Sequence, residues 1–278
     1  MTDGCDGLRF TDASGLAARA VELVRASPRT SEALARQVLG VRSAPAEMAD
    51  RLVRELLDSH PRLETDGDGL WRLRGGPAGG SGSLADLDYV VVDVETTGAS
   101  PDRGDRVTEI AAVEVTGGRV ADGFSTLVDP GRPIPDWIQR MTGITGEMVR
   151  DAPPFEEVAE EVRSRLEGRV FVAHNVPFDW RFVTAEMRRA ASVLPEGPRL
   201  CTLRLARRAL PDLPRKGLDA VTRHFGVEIE DRHRAEGDAR ATARVLLRLL
   251  EEADRRGVRR WEEMDRWLSG GPAPTDRD

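Results

Sequence analysis

Lysine is nearly missing from this chain of 278 residues: Lys216 stands alone within a Lys+Arg total of 41. Arginine suits two-pronged contacts with phosphate, although a GC-rich genome produces the same bias. Cysteine is scarce too. Cys5 and Cys201 lie far apart, form no metal-binding spacing, and read as thiols in a reducing cytosol. No apolar run approaches the roughly 20 residues that span a bilayer. The start, Met1-Thr2-Asp3-Gly4-Cys5-Asp6, is acidic and carries no apolar signal region. Together these absences predict a cytoplasmic protein with no membrane partner. Net positive charge is also lacking, at −7 overall. That argues against a strong non-specific nucleic-acid binder. It does not exclude an enzyme on nucleic acid, because clustered carboxylates lower the charge and bound metals locally invert it.

Apolar residues make up 40% of the chain, enough for a sizeable core, and the length fits one or two domains. Gly75-Gly76-Pro77-Ala78-Gly79-Gly80-Ser81-Gly82-Ser83 reads as a flexible linker. The expected division is a module at residues 1–74, a linker at 75–86, a larger domain at 87–254 and a tail at 255–278. Helical periodicity marks Leu16 to Ala26 and Pro45 to Leu57, and Thr30 or Ser31 caps a short helix between them. Arg62–Thr65 and Leu70–Leu73 read as strands joined through Asp66-Gly67-Asp68-Gly69. Three helices and a hairpin resemble a winged helix. Residues 1–83 carry 11 Arg against 12 Asp+Glu, so DNA binding and a structural or protein-contact role both stay open.

The second half alternates strands and helices. Strands are expected at Tyr89–Val94, Thr108–Val115, Arg119–Val128, Val170–Ala173 and Arg199–Thr202. Helices are expected at Phe155–Leu166, Asp179–Ala190, Leu203–Leu210, Gly217–Phe225, Ala239–Ala253 and within Gly257–Leu268. This order predicts an α/β fold, a mixed sheet with helices on both faces.

Asp93-Val94-Glu95-Thr96-Thr97-Gly98 closes the first of these strands. Alternation points Asp93 and Glu95 to the same side. Two like charges at the edge of a core call for a cation between them. Other residues are ambiguous singly. Asp179 in His174-Asn175-Val176-Pro177-Phe178-Asp179 is a helix cap or a ligand. Asp238 in His233-Arg234-Ala235-Glu236-Gly237-Asp238 suits the first turn of a helix. His233 is an exposed loop histidine or a catalyst. Glu109, polar within an apolar strand, is read as an edge or salt-bridged carboxylate.

Taken in order, Asp-x-Glu, His-Asn-x-x-Phe-Asp and His-x4-Asp resemble the motifs of the DEDDh 3′–5′ exonucleases, which include the proofreading subunit of bacterial replicative polymerases. Glu95-Thr96-Thr97-Gly98, Met141-Thr142-Gly143-Ile144-Thr145 and Ala152-Pro153-Pro154-Phe155 extend the likeness over residues 87–254. The resemblance implies an RNase H-like fold. It implies that Asp93, Glu95, Asp179 and Asp238 hold two divalent ions, Mg2+ or Mn2+, with Asp93 between them. His233 is then the general base, a role that suits an imidazole near neutral pH. Such ions want oxygen ligands, and a pair about 3.5–4 Å apart activates water and stabilises the leaving oxygen. By the same likeness Thr96 and Thr97 hold the terminal nucleotide, and Asn175 positions the loop of Asp179 at the substrate end. Met141 and Ile144 either pack against bases or belong to the core. His174 is structural or supports the ligands from behind, and Cys201-Thr202 departs from a family Asp-Thr.

The expected substrate is the 3′ end of single-stranded DNA, released as nucleoside monophosphates in proofreading or repair, with a polymerase or repair partner. RNA trimming is the alternative within the family. A winged-helix nucleic-acid-binding protein with an inactive nuclease domain is the alternative outside it. Removing residues 1–83 is expected to spare cleavage.

Overall fold

The computed structural model describes residues 7–12, 16–26, 29–41, 45–57, 63–65, 69–73, 83–191 and 193–274. Contacts divide the chain into a larger unit, Met1–Phe10 with Ser81–Asp278, and a smaller one, Thr11–Gly80.

The larger unit is built on a five-stranded sheet. Its strands are β1 (Tyr89–Thr96), β2 (Val107–Thr116), β3 (Arg119–Leu127), β4 (Val170–Ala173) and β5 (Arg199–Cys201), in the spatial order β5-β4-β1-β2-β3. The hairpins β1–β2 and β2–β3 are antiparallel, whereas β4 lies parallel to both β1 and β5. Gly117 and Gly118 turn the second hairpin with φ of 57° and 71°, the left-handed pair that a tight two-residue turn requires. β1 is apolar on both sides because both are covered. Tyr89 and Val91 join one core, and Val90, Val92 and Val94 join the other.

Helices pack on each face. On the second core lie α3 (Phe155–Leu166) and α4 (Val176–Ala191). Phe155, Val158, Ala159, Val162 and Leu166 of α3 are buried at helical spacing. The first core takes α5 (Thr202–Ala209), α6 (Leu218–Phe225), α7 (Ala235–Asp254) and α8 (Trp261–Leu268). Two short helices, α1 (Asp136–Thr142) and α2 (Gly146–Val149), were not foreseen. They are too brief to show a periodic face, and they enclose their own cluster of Ile134, Ile138, Ile144 and Val149. Among the described residues no helix is long and apolar enough to cross a membrane.

Three expected boundaries shift. The linker does not run to residue 86: Ser83 caps the turn Leu84–Asp86, Leu84 is buried, and the Tyr89 hydroxyl donates to the Leu84 carbonyl at 2.5 Å. Residues 75–82 of that linker lie outside the described residues. The helix expected within Gly257–Leu268 is α8, and the tail drawn from 255 joins the domain, since Trp261, Met264 and Trp267 enter the first core. Residues 7–10 go with the larger unit, because the Leu8 N–H donates to the Arg169 carbonyl at 2.7 Å and Leu8 is buried in the second core.

The smaller unit holds helices Leu16–Ala26, Ser31–Val38 and Ala46–Leu57 and an antiparallel sheet in the order Arg29–Thr30, Leu70–Leu73, Leu63–Thr65. The strand Arg29–Thr30 is an addition to the expected hairpin, whose turn residues 66–68 lie outside the described residues. Thr30 is the cap, accepting from the Ala33 N–H at 3.2 Å. Ser31 instead accepts from the indole of buried Trp71 at 2.9 Å and donates to Asp50 at 2.6 Å, which leaves that buried N–H satisfied.

Candidate active site

The site forms where β1 ends. A register shift between Glu95 and Thr96 breaks the ladder with β2 there. Such an irregularity re-aims side chains at a sheet edge. Asp179 arrives from the first turn of α4, and its Oδ1 accepts from the Val94 N–H at 3.3 Å. Asp238 arrives from the first turn of α7. Each helix therefore delivers a buried carboxylate, and helix N-termini favour negative charge.

Ligand atoms of Glu95, His233 and Asp238 lie within 4.8 Å of one another. One Asp238 oxygen, Oδ2, accepts from the His233 N–H at 3.2 Å and from Arg232. The other, Oδ1, is buried without a partner among the described residues. An orphaned buried carboxylate oxygen is costly unless something cationic satisfies it. The donor set is carboxylate oxygens with one imidazole, which fits a hard divalent cation.

Electrostatics mark the same place. Desolvation, then Asp179, Glu95 and Asp238, hold the Asp93 carboxyl well above the usual range. Glu95 is pushed up to about 8, by desolvation first and then by Asp238 and Glu109. Asp179 rises to about 7 through desolvation, opposed by backbone hydrogen bonds. Desolvation raises Asp238 as well, against the pull of Arg232. Like charges crowded out of water cannot all ionise without a counter-cation.

The supporting residues are more numerous than the motifs. Glu109 is directly opposite Glu95 in the sheet and only 3% exposed. It is the salt-bridged carboxylate that one reading expected: Arg234 donates to it at 2.7 Å. Arg232 spans Asp238 and Asp219, reaching the latter at 2.7 Å. The Glu109 signal was its polarity in an apolar strand. Arg232 and Asp219 gave no signal, for they meet only through the fold.

Thr96 and Thr97 are buried, and their hydroxyls bond internally, to the Gly98 carbonyl at 2.5 Å and from the Arg106 N–H at 3.0 Å. The Asn175 carbonyl accepts from the Phe178 N–H at 2.8 Å, closing the turn ahead of Asp179, while the residue itself is exposed. Ile144 is 0% exposed and takes the core alternative, whereas Met141 is 46% exposed. Nδ1 of His174 lies 3.0 Å from the Thr202 hydroxyl, and desolvation lowers its pKa to about 4. It is therefore a neutral, structural histidine at ordinary pH.

The profile of the exonuclease family, RNase T type, matches residues 90–246. The 3'-5' exonuclease DinG of Bacillus subtilis is 40% identical over 164 residues, 59% of this chain but only 18% of that protein. The DNA polymerase III subunit epsilon of Aquifex aeolicus is 38% identical over 170 residues, 61% of this chain and 84% of that protein. Among solved structures, E. coli Exonuclease I in complex with a dT13 oligonucleotide superposes with a TM-score of 0.53 at 20% identity, over 61% of this chain and 42% of that one. That last likeness concerns the fold alone, and it agrees with the RNase H-like mixed sheet. With the profile covering residues 90–246, more than half its length, the chain belongs to the exonuclease (RNase T) family.

Proposed function

We propose that this protein is a metal-dependent 3′–5′ exonuclease that hydrolyses DNA from its 3′ end to nucleoside monophosphates, in proofreading or repair. One observation carries the proposal: Glu95, His233 and Asp238 converge within 4.8 Å beside Asp93 and Asp179, at the broken edge of β1. The DinG relative is named a 3′–5′ exonuclease, which supports the direction, and the epsilon relative is named a DNA polymerase subunit, which supports DNA as substrate.

Asp93, Glu95, Asp179 and Asp238 would hold two Mg2+ or Mn2+ ions, the buried Oδ1 of Asp238 among the ligand atoms. When bound, such ions stabilise charge on the phosphoryl oxygens and ease ionisation of water. His233 takes the proton from the attacking water. The water oxygen bonds to phosphorus, the bond to the 3′ oxygen breaks, and that oxygen takes a proton from solvent to become the 3′-hydroxyl of the shortened strand. Thr96 and Thr97 hold the terminal nucleotide through the backbone, since their hydroxyls are already engaged. Asn175 steadies the turn before Asp179, and Met141 is placed to meet a base.

The helix–strand–helix–helix–strand–strand order of Thr11–Gly80 supports reading it as a winged-helix-like module preceding the nuclease domain. A polymerase or repair partner fits the same reading.

The test is incubation of the full chain with 5′-labelled single-stranded DNA, mismatched primer-template and RNA, with Mg2+ or Mn2+, at pH 7–9. A DNA ladder shortening from the 3′ end is expected. No degradation with either metal would overturn the proposal, and a ladder on RNA alone would move the substrate to RNA.

A further inference from the structure

Glu109 is a carboxylate within one strand spacing of the site, yet it is not built like a ligand. Its Oε1 accepts from Arg234 Nη2 at 2.7 Å and from Nε at 3.2 Å. Its Oε2 accepts from Arg234 Nε at 3.1 Å and from the Ala235 backbone N–H at 2.9 Å. Both oxygens are occupied, in contrast to the orphaned Oδ1 of Asp238.

What Glu109 holds is the segment that carries His233. Ala235 is the first residue of α7, so its N–H has no partner inside the helix. His233 and Asp231 have φ of 66° and 50°, in the left-handed region that side chains of L-residues avoid. Such a conformation is strained and persists only where surroundings over-determine it. Here they do. The Asp238 carboxylate takes the His233 N–H on one side. Glu109 takes the next residue's guanidinium and the following N–H on the other.

From this geometry we infer that Glu109 and Arg234, 125 residues apart in sequence, form a clamp that positions His233 over the carboxylates. Glu109 is thus a positioning residue and does not ligate metal. The inference rests on His233 being the base.

The experiment uses the full chain as Glu109→Gln, Arg234→Gln, the double variant, His233→Ala, and His233→Ala with Glu109→Gln. kcat and KM are measured on 5′-labelled single-stranded DNA with Mn2+, Mn2+ affinity by calorimetry, and folding by thermal melting. Loss of such an outer partner typically costs about 10–100-fold. That loss should fall on kcat in each clamp variant, with KM and Mn2+ affinity at wild-type values. The double variant should match the singles, since both remove one shared element. In the His233→Ala background, Glu109→Gln should change nothing further. Glu109→Asp, which keeps the charge with a shorter reach, should recover part of kcat and guards against a folding defect. Wild-type kcat in Glu109→Gln beside a crippled His233→Ala would overturn the clamp alone. A fall in Mn2+ affinity with Glu109→Gln would make Glu109 a ligand instead. Wild-type kcat in His233→Ala would overturn the base reading and the clamp with it.

Discussion

Arg106 and Glu186 form a two-pronged ion pair, Nε to Oε1 at 2.8 Å and Nη2 to Oε2 at 2.9 Å, with Glu186 only 1% exposed. Glu186 also accepts from the Val107 N–H at 3.2 Å. It lies on α4, two turns beyond Asp179 and on the same side of the helix. The Arg106 carbonyl in turn accepts from the Thr97 N–H at 2.9 Å, and the Arg106 N–H donates to the Thr97 hydroxyl at 3.0 Å. One ion pair thus fastens the helix of Asp179 to the strand end that carries Asp93 and Glu95. Breaking a buried pair from one side leaves an uncompensated charge and costs about 3–5 kcal/mol. Arg106 is partly exposed and can rehydrate, so Glu186→Ala should sit near the lower bound. Urea unfolding of Glu186→Ala, Arg106→Ala and the double variant checks this. The double should lose less than the sum of the singles. A loss below 1 kcal/mol, on the order of a surface pair, would show the fastening is not made here.

The crowded carboxylates give the metal-free protein a definite pH dependence. Asp179 moves from 3.8 to about 7 and Glu95 from 4.5 to about 8. Folded protein therefore binds more protons than unfolded chain between about pH 4 and pH 8. Stability from this cluster is fully present below that window and is lost as pH rises through it. In EDTA the melting temperature should fall from pH 5.5 to pH 8, and added Mn2+ should restore more at the upper end. Asp93→Asn removes one of the repelling charges. It should flatten the slope and abolish cleavage. An Asp93→Asn protein with an unchanged slope would show that the carboxylates do not titrate as a group.

How much of this was written in the sequence depends on contact range. The strand Val170–Ala173 and the helix Phe155–Leu166 fall where short apolar runs and helical spacing placed them. Those signals are local, one period long. Asp93 and Glu95 were legible as a pair because they alternate along one strand. The links that arrange the site are not local. Glu186 reaches Arg106 across 80 residues. Arg232 reaches Asp219 through a loop whose left-handed residues, Asp231 and His233, carry no glycine to announce them. The exposed neighbours in sequence gave no reason to single out Arg232, and Glu109 was legible as an edge or salt-bridged carboxylate while its partner Arg234, 125 residues away, was not. α1 and α2 escaped for another reason: a helix of 7 or 4 residues completes too few turns to show a face.

Gly237 is the point where the loop before α7 crosses its own helix. A Cβ there would lie 1.7 Å from the Glu230 carbonyl oxygen. Alanine is favoured over glycine within a helix by about 1 kcal/mol, but no contact survives at that distance. Backbone must move, and overpacking of this kind costs about 1–3 kcal/mol. Gly237→Ala should therefore melt lower despite its better propensity. The displaced loop carries His233, so kcat should fall too. A variant that melts higher with wild-type kcat would mean the Glu230 segment yields without disturbing the site.

Leu8 tests where the nuclease unit starts. It is 0% exposed, its N–H donates to the Arg169 carbonyl at 2.7 Å, and its carbonyl accepts from the Gly168 N–H at 2.8 Å. Gly7 approaches so closely that a Cβ would lie 1.7 Å from the Gly168 carbonyl carbon. The chain thus begins its described course in the larger unit, leaves it at Thr11, and returns near Ser81. Removing a buried leucine side chain costs about 2–5 kcal/mol. Leu8→Ala should lower the melting temperature accordingly. Truncation to residues 83–278 removes the same packing, so it should melt lower than the full chain even if the smaller unit is dispensable. Replacing residues 11–80 with a flexible Gly/Ser linker keeps Leu8 in place and should recover both melting and cleavage. Equal melting of the truncation and the linker version would show that Leu8 adds nothing to the unit and that the nuclease domain starts after the linker, as composition alone suggests.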